Sequence, residues 1–118
     1  MPLQGAILFV KNLDPMLSFY AEMLGLTPLP TTQTDSWVEF ESGLCLHAVP
    51  PEIAAEIEIS SPATAREETP VKLYFAVDDL EASSARLEAG GFAVYRRPWG
   101  VCDAVDPEGN VIQLRGEA

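Results

Sequence analysis

Val10-Lys11-Asn12-Leu13-Asp14 and Val77-Asp78-Asp79-Leu80-Glu81 are one phrase written twice, at an offset of 67 residues. A repeat at fixed offset means one structural unit used twice. Each copy begins where an apolar run ends: Ala6-Ile7-Leu8-Phe9 lies upstream of the first and Val71-Lys72-Leu73-Tyr74-Phe75 upstream of the second, both rich in strand formers. Downstream, Pro15 to Leu24 and Ala82 to Ala89 carry helical periodicity. Each half therefore opens strand, then helix. Asp14, with Pro15 at the first helical position, is expected to cap the first helix, and Asp78 with Glu81 to form a capping box on the second. Gly25 and Gly90-Gly91 are the expected stops.

Three strands are predicted after each helix. In the first half they are about 27–30, 36–40 and 44–49; in the second, about 93–97, 101–105 and 111–115, with Pro98-Trp99-Gly100 and Asp106-Pro107-Glu108-Gly109-Asn110 as turns. Leu44-Cys45-Leu46-His47 and Ile112-Gln113-Leu114-Arg115 stand 68 apart, so the halves are one βαβββ unit used twice. The predicted class is α+β, a single domain over residues 1–118, with module one at 1–49, a linker at 50–70 and module two at 71–118. The linker carries Pro50, Pro51, Pro62 and Pro70 among five glutamates, and a short helix is expected near Ile53–Glu58. It serves either as a lid over a ligand or as a solvated tether.

Composition narrows the partners. The 118 residues hold 7 Lys+Arg against 18 Asp+Glu, a net charge of −11, so no basic stripe exists to neutralise phosphates or meet an anionic membrane. The expectation is no nucleic acid and no membrane. The acidic balance favours either a cationic ligand or simple solubility. With 47% hydrophobic residues, a packed core is feasible. Apolar runs are too short to cross a bilayer and no signal-peptide pattern opens the chain, so a soluble, cytoplasmic protein is expected. Cys45 and Cys102 lack metal-type spacing and are expected as reduced thiols.

The order of these pieces resembles the vicinal-oxygen-chelate superfamily of glyoxalase I, bleomycin resistance proteins and extradiol dioxygenases. The resemblance is carried by Phe9-Val10-Lys11-Asn12-Leu13-Asp14, Phe19-Tyr20 and Leu24-Gly25-Leu26 in the first half. In the second it is carried by Val77-Asp78-Asp79-Leu80, Pro98-Trp99-Gly100 and Asp106-Pro107-Glu108-Gly109-Asn110. It implies tandem βαβββ modules forming a curled mixed sheet around a cleft, commonly completed in a homodimer. It also implies, in many enzyme members, a divalent metal held by one ligand from the first and one from the last strand of each module. Those positions fall at Gly5, Cys45, Lys72 and Gln113. Glycine has no donor and an ammonium cannot ligate until it loses its proton, so half the set is missing. Cysteine and glutamine, even with His47 nearby, make a poor set for a hard cation or a catalytic zinc. The expectation is no metal and no cofactor; a one-residue slip of the first strand would put Gln4 in place of Gly5.

Strand alternation places Gly5, Ile7 and Phe9 on the cleft face with Cys45 and His47, and likewise Lys72, Tyr74 and Ala76 with Val111, Gln113 and Arg115. Alternate residues such as Leu8, Val10, Phe75, Ile112 and Leu114 are apolar and suit the layer beneath the helices. The expected ligand-binding residues are Phe9, Trp37, Glu39, Cys45, His47, Lys72, Tyr74, Trp99 and Gln113. Trp37 and Trp99 serve either as aromatic walls or in core and turn packing. Lys72 either anchors an anion or pairs with Glu39. His47 is the one candidate catalytic residue, by virtue of its pKa, although a single strand histidine is commonly structural.

The favoured function is a metal-independent small-molecule binding protein that sequesters an antibiotic or other toxic aromatic or cationic compound. The alternatives are a metal-dependent lyase, isomerase or dioxygenase with a non-standard ligand set, and a cofactor-free catalyst with His47 as base.

Overall fold

The computed structural model describes residues 1–116. Its architecture is α+β, and its contacts divide it into two compact units, Met1–Glu58 and the chain from Ile59 onward.

In the first unit β1 (Ala6–Val10) leads into α1 (Leu13–Ser18), followed by β2 (Trp37–Glu39), β3 (Leu44–Ala48) and a single turn, α2 (Pro51–Ala54). The sheet order is β1-β3-β2, with β1 parallel and β2 antiparallel to β3. Helix α1 starts at Leu13 with Asn12 in the capping position, not Asp14, and the Asn12 side chain makes no capping hydrogen bond. Pro15 is still inside the first turn, where its missing N–H costs no helical bond. Residues Phe19–Met23 widen into a π-helical turn, in which the Leu24 amide reaches the Phe19 carbonyl at 3.2 Å. That turn drives Phe19 and Tyr20 into the core beside Met16, Val38 and Leu46, all at most 1% exposed.

The strand predicted at 27–30 is reduced to one isolated bridge between Pro28 and Phe40. Pro28 and Pro30 have no amide to donate, so a continuous ladder cannot form there. The helix expected near Ile53–Glu58 is instead the turn Pro51–Ala54, where Pro51 stands at the first helical position.

The second unit contains β4 (Tyr74–Val77), α3 (Leu80–Ala89), β5 (Val94–Arg96), β6 (Val101–Val105) and β7 (Val111–Gly116), in the sheet order β4-β7-β6-β5. Strands β4 and β7 are parallel; the other pairs are antiparallel. The cap of α3 is Asp79, one residue after the expected Asp78; its carboxylate accepts from the Ala82 amide at 2.9 Å. At the other end Gly91, with φ +90°, lets the Phe92 amide return to the Leu87 carbonyl at 3.0 Å. Leu87 and Ser84 face the sheet, whose inward residues Cys102, Ala104, Ile112 and Leu114 are at most 1% exposed. Arg96 ties β5 to α3 through Glu81 and Glu88.

The turn between β6 and β7 is built on a buried carboxylate. Asp106 accepts from the amides of Glu108 and Asn110 through one oxygen and from the Asn110 side chain through the other. Part of the predicted linker joins this turn, since the Arg66 amide donates to the Gly109 carbonyl at 2.8 Å.

Candidate functional site

Each sheet has one face against its helix and one face turned away, and the candidate residues sort onto the second by strand register. In the first unit Phe9 pairs with His47 and His47 with Trp37, so three side chains form a row across β1, β3 and β2. The imidazole centroid lies 5.6 Å from the Phe9 ring and 5.6 Å from the Trp37 ring. The neighbouring row is Ile7, Cys45 and Glu39. Phe9 is 66% and Ile7 50% exposed, so this face offers an open apolar surface around a half-buried histidine.

No acidic side chain is ion-paired with His47 among the described residues, so the imidazole has rings for neighbours and no carboxylate to orient it. Burial, and then the negative charge of Glu39, push the Cys45 thiol above its ordinary pKa. It is a neutral thiol near pH 7 and a poor nucleophile or metal donor.

In the second unit the corresponding row runs Tyr74, Gln113, Asp103, Tyr95 across β4, β7, β6 and β5. Asp103 is the centre of charge. Its side chain is 6% exposed and is held by the Lys72 ammonium at 3.4 Å and by the Arg97 guanidinium at 3.0 Å. Lys72 thus pairs with Asp103: the sheet order brings the residue two before β4 and the residue just after β5 to the middle of β6. Gln113 is also engaged: its side-chain oxygen accepts from Arg115 Nε at 2.7 Å, and that guanidinium lies 3.9 Å from the centroid of the Tyr74 ring. Trp99 joins neither row. It stands 70% exposed in the turn between β5 and β6.

A cavity of about 510 Å³ opens over this second face, between the 65–72 segment and the sheet. Tyr95, Arg97, Asp103 and Val111 form its floor, and Lys72 and Arg66 its side. Of these only Lys72 was among the expected site residues. The missed signal is Val101-Cys102-Asp103-Ala104-Val105, a carboxylate at the centre of an otherwise apolar strand, where burial demands a cationic partner.

The four positions at which the resemblance implies a metal do not fit one here. Gly5 runs so close to Gly43 that a Cβ on it would lie 1.9 Å from the Gly43 carbonyl oxygen, so no side chain, ligating or otherwise, fits there. Ile7 pairs with Cys45, and the same alternation carried back past the start of β1 would put Gly5, not Gln4, on that face. Lys72 is tied to Asp103, Gln113 to Arg115, and Cys45 is a protonated thiol. No group of three or more His, Cys, Asp or Glu suited to a metal ion exists among the described residues. No helix among them is long and apolar enough to cross a membrane.

Comparison with known proteins agrees with this architecture. A protein of unknown function from Agrobacterium tumefaciens is 27% identical with a TM-score of 0.72, covering 100% of this chain and 95% of its own. TnmS3, an antibiotic binding protein from Streptomyces, is 25% identical with a TM-score of 0.65, covering 100% and 97%. The trypanothione-dependent glyoxalase I of Leishmania major shares the fold, with a TM-score of 0.70 at 17% identity over 99% of this chain and 87% of its own. No curated protein matches the chain in sequence. The profile of the glyoxalase-like domain matches residues 3–117, nearly the whole length. With two units that each run strand, helix, strands and with this match over nearly its whole length, the chain belongs to the glyoxalase-like domain family.

Proposed function

We propose that this protein is a metal-independent small-molecule binding protein that sequesters an organic compound, such as an antibiotic, as a cytoplasmic homodimer. The observation that carries the reading is the contact between Gly5 and Gly43, which removes the first metal position sterically and not merely by a change of residue. A glycine here satisfies the backbone, and its replacement by a ligating residue would have to move β1. The engagement of Lys72 and Gln113 points the same way.

Two surfaces supply what a binding protein needs. The Phe9–His47–Trp37 row offers flat rings, and the second unit offers a cavity within the roughly 300–1,000 Å³ range of small-molecule sites. TnmS3, which spans the same length, is an antibiotic binding protein and supports the sequestering role. The open Ile7 and Phe9 face supports the homodimer, and two free thiols suit a reducing compartment.

The deciding experiment is metal analysis of protein purified without chelator, followed by titration with zinc, nickel and manganese. Substoichiometric metal and millimolar or weaker affinity are expected. One tightly held divalent ion per chain would overturn the reading in favour of an enzyme of the same fold. Replacing His47→Ala should leave most ligand affinity intact in a sequestering protein, and loss of a turnover activity in that variant would favour catalysis with His47 as base. Sedimentation at micromolar concentration should give a dimer.

A further inference from the structure

Three of the chain's seven basic side chains, Arg66, Lys72 and Arg97, line one cavity in a molecule whose net charge is −11. They come from two stretches: Arg66 and Lys72 from the 65–72 segment before β4, and Arg97 from the residue just after β5. Two carboxylates, Asp103 and Glu67, line the same space, so the balance there is positive.

Asp103 does not exhaust its partners. Arg97 gives it Nε and one hydrogen from Nη2, at 3.2 and 3.0 Å, out of five N–H donors. Lys72 approaches both of its oxygens at 3.4 Å and remains 45% exposed. Arg66 has no ion pair among the described residues, while its own amide is fixed to Gly109. The buried carboxylate therefore orients two cations at the cavity wall and leaves donors over, and a third cation stands beside them. Pro70, Val71, Val111 and the Tyr95 ring supply an apolar stretch of wall, with Thr69 beside it.

We infer that this cavity takes an organic anion, a carboxylate on an apolar and preferably flat body, with Arg66, Lys72 and Arg97 receiving the carboxylate and Tyr95 with Val111 receiving the body. The inference rests on the binding-protein reading above and names its ligand class. It reverses the sign that the overall charge suggests: the acidic surplus lies elsewhere, and the cavity selects the opposite ligand. Guanidinium and ammonium donors are the groups that bind carboxylates most strongly, the more so beside low-dielectric walls.

The test titrates the full chain at low salt with 2-naphthoate and, as a probe with the same ring and opposite charge, 2-naphthylmethylammonium, following backbone amide shifts. Naphthoate is expected to saturate, to shift Tyr95, Asp103 and Val111, and to bind at least tenfold tighter than the ammonium. Arg66→Gln, which breaks no ion pair, should weaken naphthoate about tenfold, the loss of one charge-assisted contact, with unchanged thermal unfolding. Lys72→Gln should weaken it similarly. Tighter binding of the ammonium, naphthoate shifts confined to Phe9, Trp37 and His47, or affinity unmoved in both variants would overturn the inference. Such results would leave the binding-protein reading standing. Metal content is measured separately, so a resident metal would overturn that reading without altering the naphthoate result.

Discussion

Gly5 and Gly43 approach so closely that neither has room for a side chain: a Cβ on Gly5 meets the Gly43 oxygen at 1.9 Å, and one on Gly43 meets the Gln4 oxygen at 2.4 Å and the Gly5 Cα at 3.3 Å. The contact sits where the Ala6 amide bonds the Gly43 carbonyl at 3.1 Å, at the start of the β1–β3 ladder. Chain packing thus claims the position at which the resemblance implies a metal ligand.

Gly5→Ala should lower stability by about 1–3 kcal/mol, the cost of forcing a methyl group into packed backbone, read by urea unfolding. Gly5→His should be at least as unstable and should gain no zinc affinity. A stable Gly5→His variant that binds zinc would show that the strand yields easily.

Removing the carboxylate at the centre of the second sheet should cost more than removing either partner. Asp103→Ala strips Lys72 and Arg97 of their shared anion. Because those cations are 45% and 42% exposed, the loss should be about 2 kcal/mol, below the roughly 3–5 of a fully buried pair. Lys72→Met should cost less, since Arg97 still satisfies Asp103. Equal losses in chemical denaturation would contradict this account.

The two adjacent aspartates before α3 should separate cleanly. Asp79→Ala loses the bond to the Ala82 amide and should destabilise the chain by about 1 kcal/mol. Asp78→Ala should fall within about 0.5 kcal/mol of the parent. Thermal unfolding of the two variants distinguishes them.

Cys45 should alkylate slowly. Its pKa is raised by burial and by Glu39, so iodoacetamide should label it less than a free thiol at pH 7.5 and increasingly above the ordinary thiol range, as followed by peptide mapping. Glu39→Gln should move the titration down. The linked stability has a definite sign: the folded thiol holds its proton more tightly than the unfolded one, so its contribution is complete below the unfolded pKa and is lost as pH rises through the folded value. Labelling of Cys45 at pH 7.5 as fast as in the unfolded chain would refute this.

Much of the fold is written locally. The repeat at 67 residues, the alternation in Val111 to Arg115 and the glycines after each helix depend on neighbours in sequence, and all reappear as β1, β4, β7 and the two helix ends. The misses are local too, but one step finer. Asp78 and Asp79 both have the chemistry of a cap, and only the backbone turn selects between them. Pro28 and Pro30 sit in an otherwise strand-like run whose missing amides break the ladder.

The sequence by itself determined the two repeated units, the family and the faces on which Phe9, His47, Tyr74 and Gln113 lie, because alternation assigns a residue to a face without knowing its neighbours. It could not say who stands beside whom. That Lys72 and Arg97 converge on Asp103, while Gln113 turns to Arg115, follows from the order β4-β7-β6-β5 and its register. Those long-range pairings are set by how whole strands pack, so the charge of the cavity was decided only in the tertiary structure.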